Sequence, residues 1–163
     1  RGVAREMSRE EILRFLTRAK KEGLVLQPEN SQRPDFICCC CGCCCAALLA
    51  AKKMDKPAEF IHSNYQAFVA SDQCEACDEC LERCPVDALH RSNGHMEVDH
   101  DRCIGCGLCI PVCKGKALHL VKKKTPEVPP VSKSDMYKRM LMEKYGLLGT
   151  LSIGGKMALG KKV

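Results

Sequence analysis

Shifting the chain by 29 residues lays Cys74, Cys77, Cys80 and Cys84 onto Cys103, Cys106, Cys109 and Cys113. The match extends beyond sulfur. Val69 falls on Val98, Asp72 on Asp101, and Ala88–His90 on Ala117–His119, both reading Ala-Leu-His. This is an internal duplication, and each half reads as strand, cysteine loop, short helix, strand. Composition points the same way, because four Phe, three Tyr and no Trp in 163 residues leave little aromatic area to bury. Small modules with weak cores are held by disulfides or metals instead.

Disulfides need an oxidising compartment. The opening RGVAREMSREE carries no apolar leader with a small-residue cleavage site, and the chain has 15 cysteines, an odd number,. A reduced, cytoplasmic, metal-binding protein is therefore expected. The absence of an initiating Met suggests a processed chain or a segment of a longer one. No run approaches the ~18 apolar residues of a spanning helix, so no transmembrane segment is expected.

Each half is spaced C-x2-C-x2-C-x3-C, and Pro85 completes the first. Three thiolates at x2 intervals let one tight loop wrap three corners of a cubane. The fourth cysteine is expected to start the following helix and to point away from that loop. Zinc favours two C-x2-C pairs, whereas this run is an iron–sulfur ligand run.

Residues 66–122 resemble a bacterial-type ferredoxin with two [4Fe-4S] clusters. The resemblance implies an α+β, bacterial-ferredoxin-like fold, a duplicated β-loop-α-β unit around two cubanes. It also implies that Cys74, Cys77, Cys80 and Cys113 hold one cluster and that Cys84, Cys103, Cys106 and Cys109 hold the other. Gly105 and Gly107 suit the second loop, where backbone comes close to inorganic sulfur. Lys114 departs from the first half's Pro85, and Glu75, Asp78 and Glu79 stand where the second half has Ile104, Gly107 and Leu108. The acids lower the first cluster's potential and Lys114 raises it, so the sum has no sign from sequence.

The run CCCCGCCC, Cys38 to Cys45, places seven cysteines in eight positions. Cys38, Cys41 and Cys44 repeat the x2 spacing, and Gly42 follows Cys41 as Gly107 follows Cys106. A third iron–sulfur site is expected, with Cys45 or a residue upstream as fourth ligand. A larger cluster and a set of small buried side chains are the alternatives. With the ferredoxin-like lobe behind it, this run is similar to the C-terminal half of longer ferredoxin-like proteins of anaerobes. Their run reads C-N-C-C-x-C-C-C, and Cys39 takes the Asn place.

The flanks are simpler. SREEILRFLTRAKKEG reads as a helix with a Ser8/Glu11 capping box, an apolar face of Ile12, Leu13, Phe15, Leu16 and Ala19, and a stop at Gly23. A short strand and polar loop follow, then the cysteine run, a helix from about Cys45 to Met54, and strand-like stretches at Phe60–Ile61 and Ala67–Ala70. KKKTPEVPPVSKS is an extended linker. SDMYKRMLMEKYG reads as a helix capped near Ser134 and stopped at Gly146, before a loosely ordered Gly-rich tail. Three regions result: 1–65, helix and Cys-rich extension; 66–122, the two-cluster domain; 123–163, linker, helix and a tail that docks on a partner or a membrane surface.

The formal charge of +6 counts thiols as neutral. Each oxidised cluster on four thiolates carries about −2, so two clusters leave about +2 and three leave about zero. Nucleic acid is not an expected partner. His62, His90, His95, His100 and His119 show no metal spacing, and no Ser-His-Asp set, P-loop or G-x-G-x-x-G appears,. No catalytic residue is assigned. The expected function is an electron-transfer protein or subunit, passing single electrons through two [4Fe-4S] clusters and a third site to or from a partner oxidoreductase. The alternatives are an activator or catalytic protein with an open site at 38–45, and a redox sensor.

Overall fold

The computed structural model describes residues 4–158. By contacts the chain forms two compact units: residues up to Gln27 with Cys38–Glu127, and Pro28–Ile37 with the chain from Val128 onward.

The first unit opens with helix α1, Arg9–Glu22. Ser8 Oγ accepts the Glu11 N–H and Glu11 accepts the Ser8 N–H, closing the capping box,. Gly23 ends the helix at φ 87°, in the left-handed region that only glycine enters freely,. Of the apolar face read from the sequence, only Ala19 is buried; Ile12, Leu13 and Phe15 are exposed. The helix is held at its end instead. The Arg83 guanidinium donates to the carbonyls of Lys20 and Lys21, a cation at the negative end of the helix,.

Strand β1, Val25–Pro28, pairs with β2, Ile37–Cys40, which carries the start of the cysteine run. Helix α2, Ala46–Lys52, follows with Leu48 and Ala51 fully buried. A helical turn α3, Pro57–Phe60, stands where Phe60–Ile61 reads as strand; Pro57 presets the helical φ at its first position and Ile61 N–H closes the turn on the Pro57 carbonyl,.

The lobe that follows contains β3, Tyr65–Val69, α4, Glu79–Arg83, β4, Leu89–Ser92, β5, His95–Val98, and β6, Leu118–Lys122. β3 pairs antiparallel with β6, Val69 opposite Leu118, and β4 with β5, Leu89 opposite Val98. A shift of 29 residues carries one register into the other, since Val69 maps to Val98 and Leu89 to Leu118. Each sheet thus joins the first strand of one half to the last strand of the other. Asn93 and Gly94, at φ 49° and 83°, make the tight β4–β5 turn, where both central residues need positive φ,. The core between the sheets mixes aliphatic side chains (Val86, Leu89, Met96, Ile104, Leu108, Leu118) with buried Cys80, Cys103 and Cys109.

The helix of the first half precedes its fourth cysteine rather than following it: Cys84 is the residue that ends α4. In the second half Cys113 directly follows a turn, with its N–H on the Ile110 carbonyl. Both departures leave the fourth cysteine in non-helical backbone, free to turn toward the opposite half.

In the second unit, helix α5 spans Lys133–Ala158 and is broken at Gly146, φ 68°. Ser132, not Ser134, caps it: its Oγ accepts the Asp135 N–H and donates to the Asp135 carboxylate,. The helix resumes past Gly146 where the sequence suggests a loose tail; residues 159–163 lie outside the described ones. Lys133 Nζ lies 3.6 Å from both the buried Glu29 carboxylate and Asp35. Among the described residues, no helix is long and apolar enough to cross a membrane.

Candidate metal centres

Two cavities of about 350 Å³ lie inside the lobe, one walled by apolar side chains and sulfur, the other also by Glu75 and Asp78. One is lined by Cys74, Cys77, Cys80 and Cys113, the other by Cys84, Cys103, Cys106 and Cys109. Each therefore takes three thiols from its own loop and one from the other half.

Backbone amides aim the sulfurs in pairs related by the same shift. Ala88 N–H donates to Cys84 Sγ and Ala117 N–H to Cys113 Sγ, each at 3.2 Å. Ala67 N–H donates to Cys103 Sγ at 3.4 Å and Met96 N–H to Cys74 Sγ at 3.5 Å. The last two again cross between the halves. N–H donation stabilises negative charge on sulfur and favours the thiolate a metal needs.

The loops reach this geometry through left-handed backbone. Gly105 and Gly107 have φ 65° and 70°. A Cβ on Gly105 would stand 2.1 Å from the Tyr65 carbonyl oxygen, so only glycine fits. Ala76 and Asp78, their equivalents in the first half, take the same region at φ 50° and 65°, and Asp87 and Lys116 form a third matched pair at 52° and 53°. Non-glycine residues there cost about 1–2 kcal/mol each. In the first loop Arg91 supports the turn, donating to the Ala76 carbonyl at 2.6 Å and to Asp78 Oδ2 at 2.5 Å.

Without a cation the sites are electrostatically unfavourable for thiolates. Burial, then the neighbouring cysteines, push the Cys109 thiol up to about 12. Burial pushes Cys106 and Cys80 up to about 11 and raises Cys84. An all-sulfur donor set of this kind is soft and selects zinc or iron–sulfur. The spacing separates these two. Four sulfurs on one tetrahedral zinc stand roughly 3.8 Å apart, from Zn–S bonds of ~2.3 Å. Among the described residues, no three of these eight sulfurs lie within 4.8 Å of one another. The cavities fit a polynuclear cluster.

Their surroundings differ. Glu75 and Asp78 line the first cavity, and Cys77 is exposed. Lys114 pairs with Glu79 beside it. The second has Ile104, Gly107, Leu108 and Pro85 in the matching places.

In the run Cys38–Cys45 the x2 pair Cys41 and Cys44 comes together, and Cys43 joins it. Cys40 at the end of β2 interacts with Cys45 and Cys38: burial, then the Cys45 and Cys38 thiols, push Cys40 up to about 11. The turn at 42–44 gathers Cys41, Cys43 and Cys44, whose sulfurs lie within 4.8 Å of each other. A disulfide joins Cys41 to Cys43, and Cys44 Sγ lies 3.1 Å from Cys41 Sγ. The expected exclusion of disulfides therefore fails at this one place. Of the expected ligands Cys38, Cys41, Cys44 and Cys45, the Cys41 and Cys44 sulfurs lie together, and Cys38 and Cys45 both act on Cys40.

Two arginines beside the cavities escape a search for ligand types. Arg102 donates to the carbonyls of Val86, Asp87, Met54 and Lys52, joining the end of α2 to the second cavity. Arg83 holds α1, as above. Their only sequence signal is that each immediately precedes a cavity cysteine, Cys103 and Cys84.

Residues 96–119 match the model of the 4Fe-4S binding domain family. The chain is also similar to a ferredoxin of Thermoanaerobacterium thermosaccharolyticum, 47% identical over 33 residues, which is 20% of this chain and 60% of that protein. The chain thus contains a 4Fe-4S binding domain within a mixed α+β lobe.

Proposed function

We propose that this protein is an iron–sulfur electron carrier with two [4Fe-4S] clusters, passing single electrons to or from a partner oxidoreductase. Cys74, Cys77, Cys80 and Cys113 would hold one cluster, and Cys84, Cys103, Cys106 and Cys109 the other. Bound there, each cluster supplies a one-electron couple. The protein sets potential and access: amides donate to sulfurs at both sites and apolar walls surround the second, while acids and an exposed Cys77 mark the first as the side where electrons enter or leave.

The observation that carries this reading is the pair of four-thiol cavities, each completed by a cysteine from the opposite half. Similarity to a ferredoxin supports the electron-transfer role. Reducing the anaerobic Cys113→Ala and Cys84→Ala variants tests it. Cys113→Ala is expected to perturb the spectrum of the first site and Cys84→Ala that of the second. Each variant disturbing the site of its own half contradicts the assignment.

A further inference from the structure

We propose that Cys41 and Cys43 form a dithiol/disulfide centre that takes two electrons from the two clusters and passes them to an external disulfide. This rests on the two-cluster reading above.

Four observations carry it. The Cys41–Cys43 bond spans a single glycine, and Cys44 Sγ lies 3.1 Å from Cys41 Sγ, a third thiol within reach for exchange. Cys43 and Cys44 are exposed, so an outside disulfide can approach. Gly42 packs against Pro85, which lines the second cavity: a Cβ on Gly42 would lie 3.3 Å from Pro85 Cβ, and Pro85 follows Cys84 directly in the chain. Finally, the three sulfurs are drawn together within 4.8 Å, whereas the lobe's thiols stand apart around open space. Protein disulfides in a reducing compartment are characteristically transient and catalytic.

The electrons balance. The Cys41–Cys43 bond accepts two electrons, one from each reduced [4Fe-4S]⁺ centre, which returns to the 2+ state, and two protons from solvent. The products are two thiols. The Cys43 thiolate then attacks one sulfur of the external disulfide, whose S–S bond breaks and whose other half leaves as a thiolate. Cys41 attacks Cys43 in this mixed disulfide, re-forming the Cys41–Cys43 bond and releasing the second thiolate. One external disulfide becomes two thiols for two electrons.

The test is a reductive titration of the anaerobically purified full chain with photoreduced deazaflavin, with iron, zinc and sulfide counted on the same sample. The expected uptake is about four electrons for about eight irons, falling to about two electrons in Cys43→Ser with the iron retained. Adding 2-hydroxyethyl disulfide to the reduced protein reoxidises the clusters in the parent chain and not in Cys43→Ser. Independently, peptide mapping after N-ethylmaleimide treatment finds Cys41 and Cys43 blocked in the oxidised protein and alkylated after reduction. An uptake of about two electrons by the parent chain, about twelve irons, or about one zinc lost on Cys43→Ser overturns the proposal. So does equal reoxidation of parent and variant, or alkylation of Cys41 and Cys43 before reduction. Failure of the two-cluster reading appears separately, as about four irons or fewer, and the alkylation pattern still decides the state of Cys41 and Cys43.

Discussion

Arg91 donates to the Asp78 carboxylate at 2.5 Å, and the two residues occupy in the first half the places of Leu120 and Gly107 in the second. There, Leu120 Cδ1 stands 2.9 Å from where a Gly107 Cβ would be. One loop is closed by a glycine under an aliphatic side chain, the other by a strained aspartate under an arginine. The duplicated frame is thus retained while charge is built into one half. Arg91→Ala is expected to cost about 0.5–1 kcal/mol, because the pair is half-exposed and screened. It also lowers the first centre's potential by leaving Asp78 unneutralised. Chemical denaturation and EPR-monitored potentiometry read the two effects.

Glu75 lines the first cavity. Glu79 is paired with Lys114 and Asp78 with Arg91, which leaves Glu75 as the acid whose charge is least offset. Glu75→Gln should therefore raise the first centre's potential and leave the second's unchanged, since removing negative charge favours the reduced cluster. Lys114→Gln should move the first potential downward. Potentiometric titration of each variant gives both signs.

Gly105→Ala should be far more damaging than Gly94→Ala, although both glycines have positive φ. The added methyl at 105 meets the Tyr65 carbonyl, while nothing lies within 4 Å at 94. The expected outcome is loss of about four of about eight irons for Gly105→Ala and full iron for Gly94→Ala, read by metal analysis. In the first loop the reverse substitution helps: Ala76→Gly relieves the left-handed strain, worth about 1 kcal/mol, and raises the denaturation midpoint.

Removing Arg102 leaves the carbonyls of Lys52, Met54, Val86 and Asp87 without this donor. Hydrogen bonds from a charged donor contribute about 1.5–3 kcal/mol, so Arg102→Ala is expected to cost at least about 2 kcal/mol. It should also loosen α2 against the lobe. Denaturation measures the first effect and faster hydrogen exchange at Leu48–Ala51 the second.

The start of α1 carries a pH dependence. Glu11 is held below its ordinary value by the Ser8 backbone N–H, then by Arg5. A carboxylate with a depressed folded pKa contributes stability that is present above 4.5, its ordinary value, and is lost as pH falls through the folded value. Acidification should therefore fray the first turn of α1 before the lobe unfolds, and Glu11→Gln should remove that early transition. Amide exchange at residues 9–12 against pH tests this.

What the sequence made legible was the part whose spacing is itself geometry. The 29-residue shift foretells two matched halves, and the Ser8 box and Gly23 fix both ends of α1 by local chemistry alone. What it hid depends on contacts remote in sequence. The left-handed places of Ala76 and Asp78 are invisible without the second loop's glycines as a guide, because nothing in alanine or aspartate demands positive φ. Arg102 reads as an ordinary surface charge until four carbonyls from distant segments converge on it. In Cys38–Cys45 the x2 spacing foretells the approach of Cys41 and Cys44, whereas the Cys41–Cys43 contact comes from the tight turn at 42–44, which no fixed spacing announces.

The most direct measurement is EPR spectroscopy of the anaerobically purified, fully reduced chain. Two [4Fe-4S]⁺ centres built on cysteines exchanged between the halves would be neighbours whose spins couple. The predicted result is a broadened, interacting spectrum integrating to about two spins per chain. A single isolated signal of about one spin, or no [4Fe-4S]⁺ signal at all, contradicts the two-cluster account.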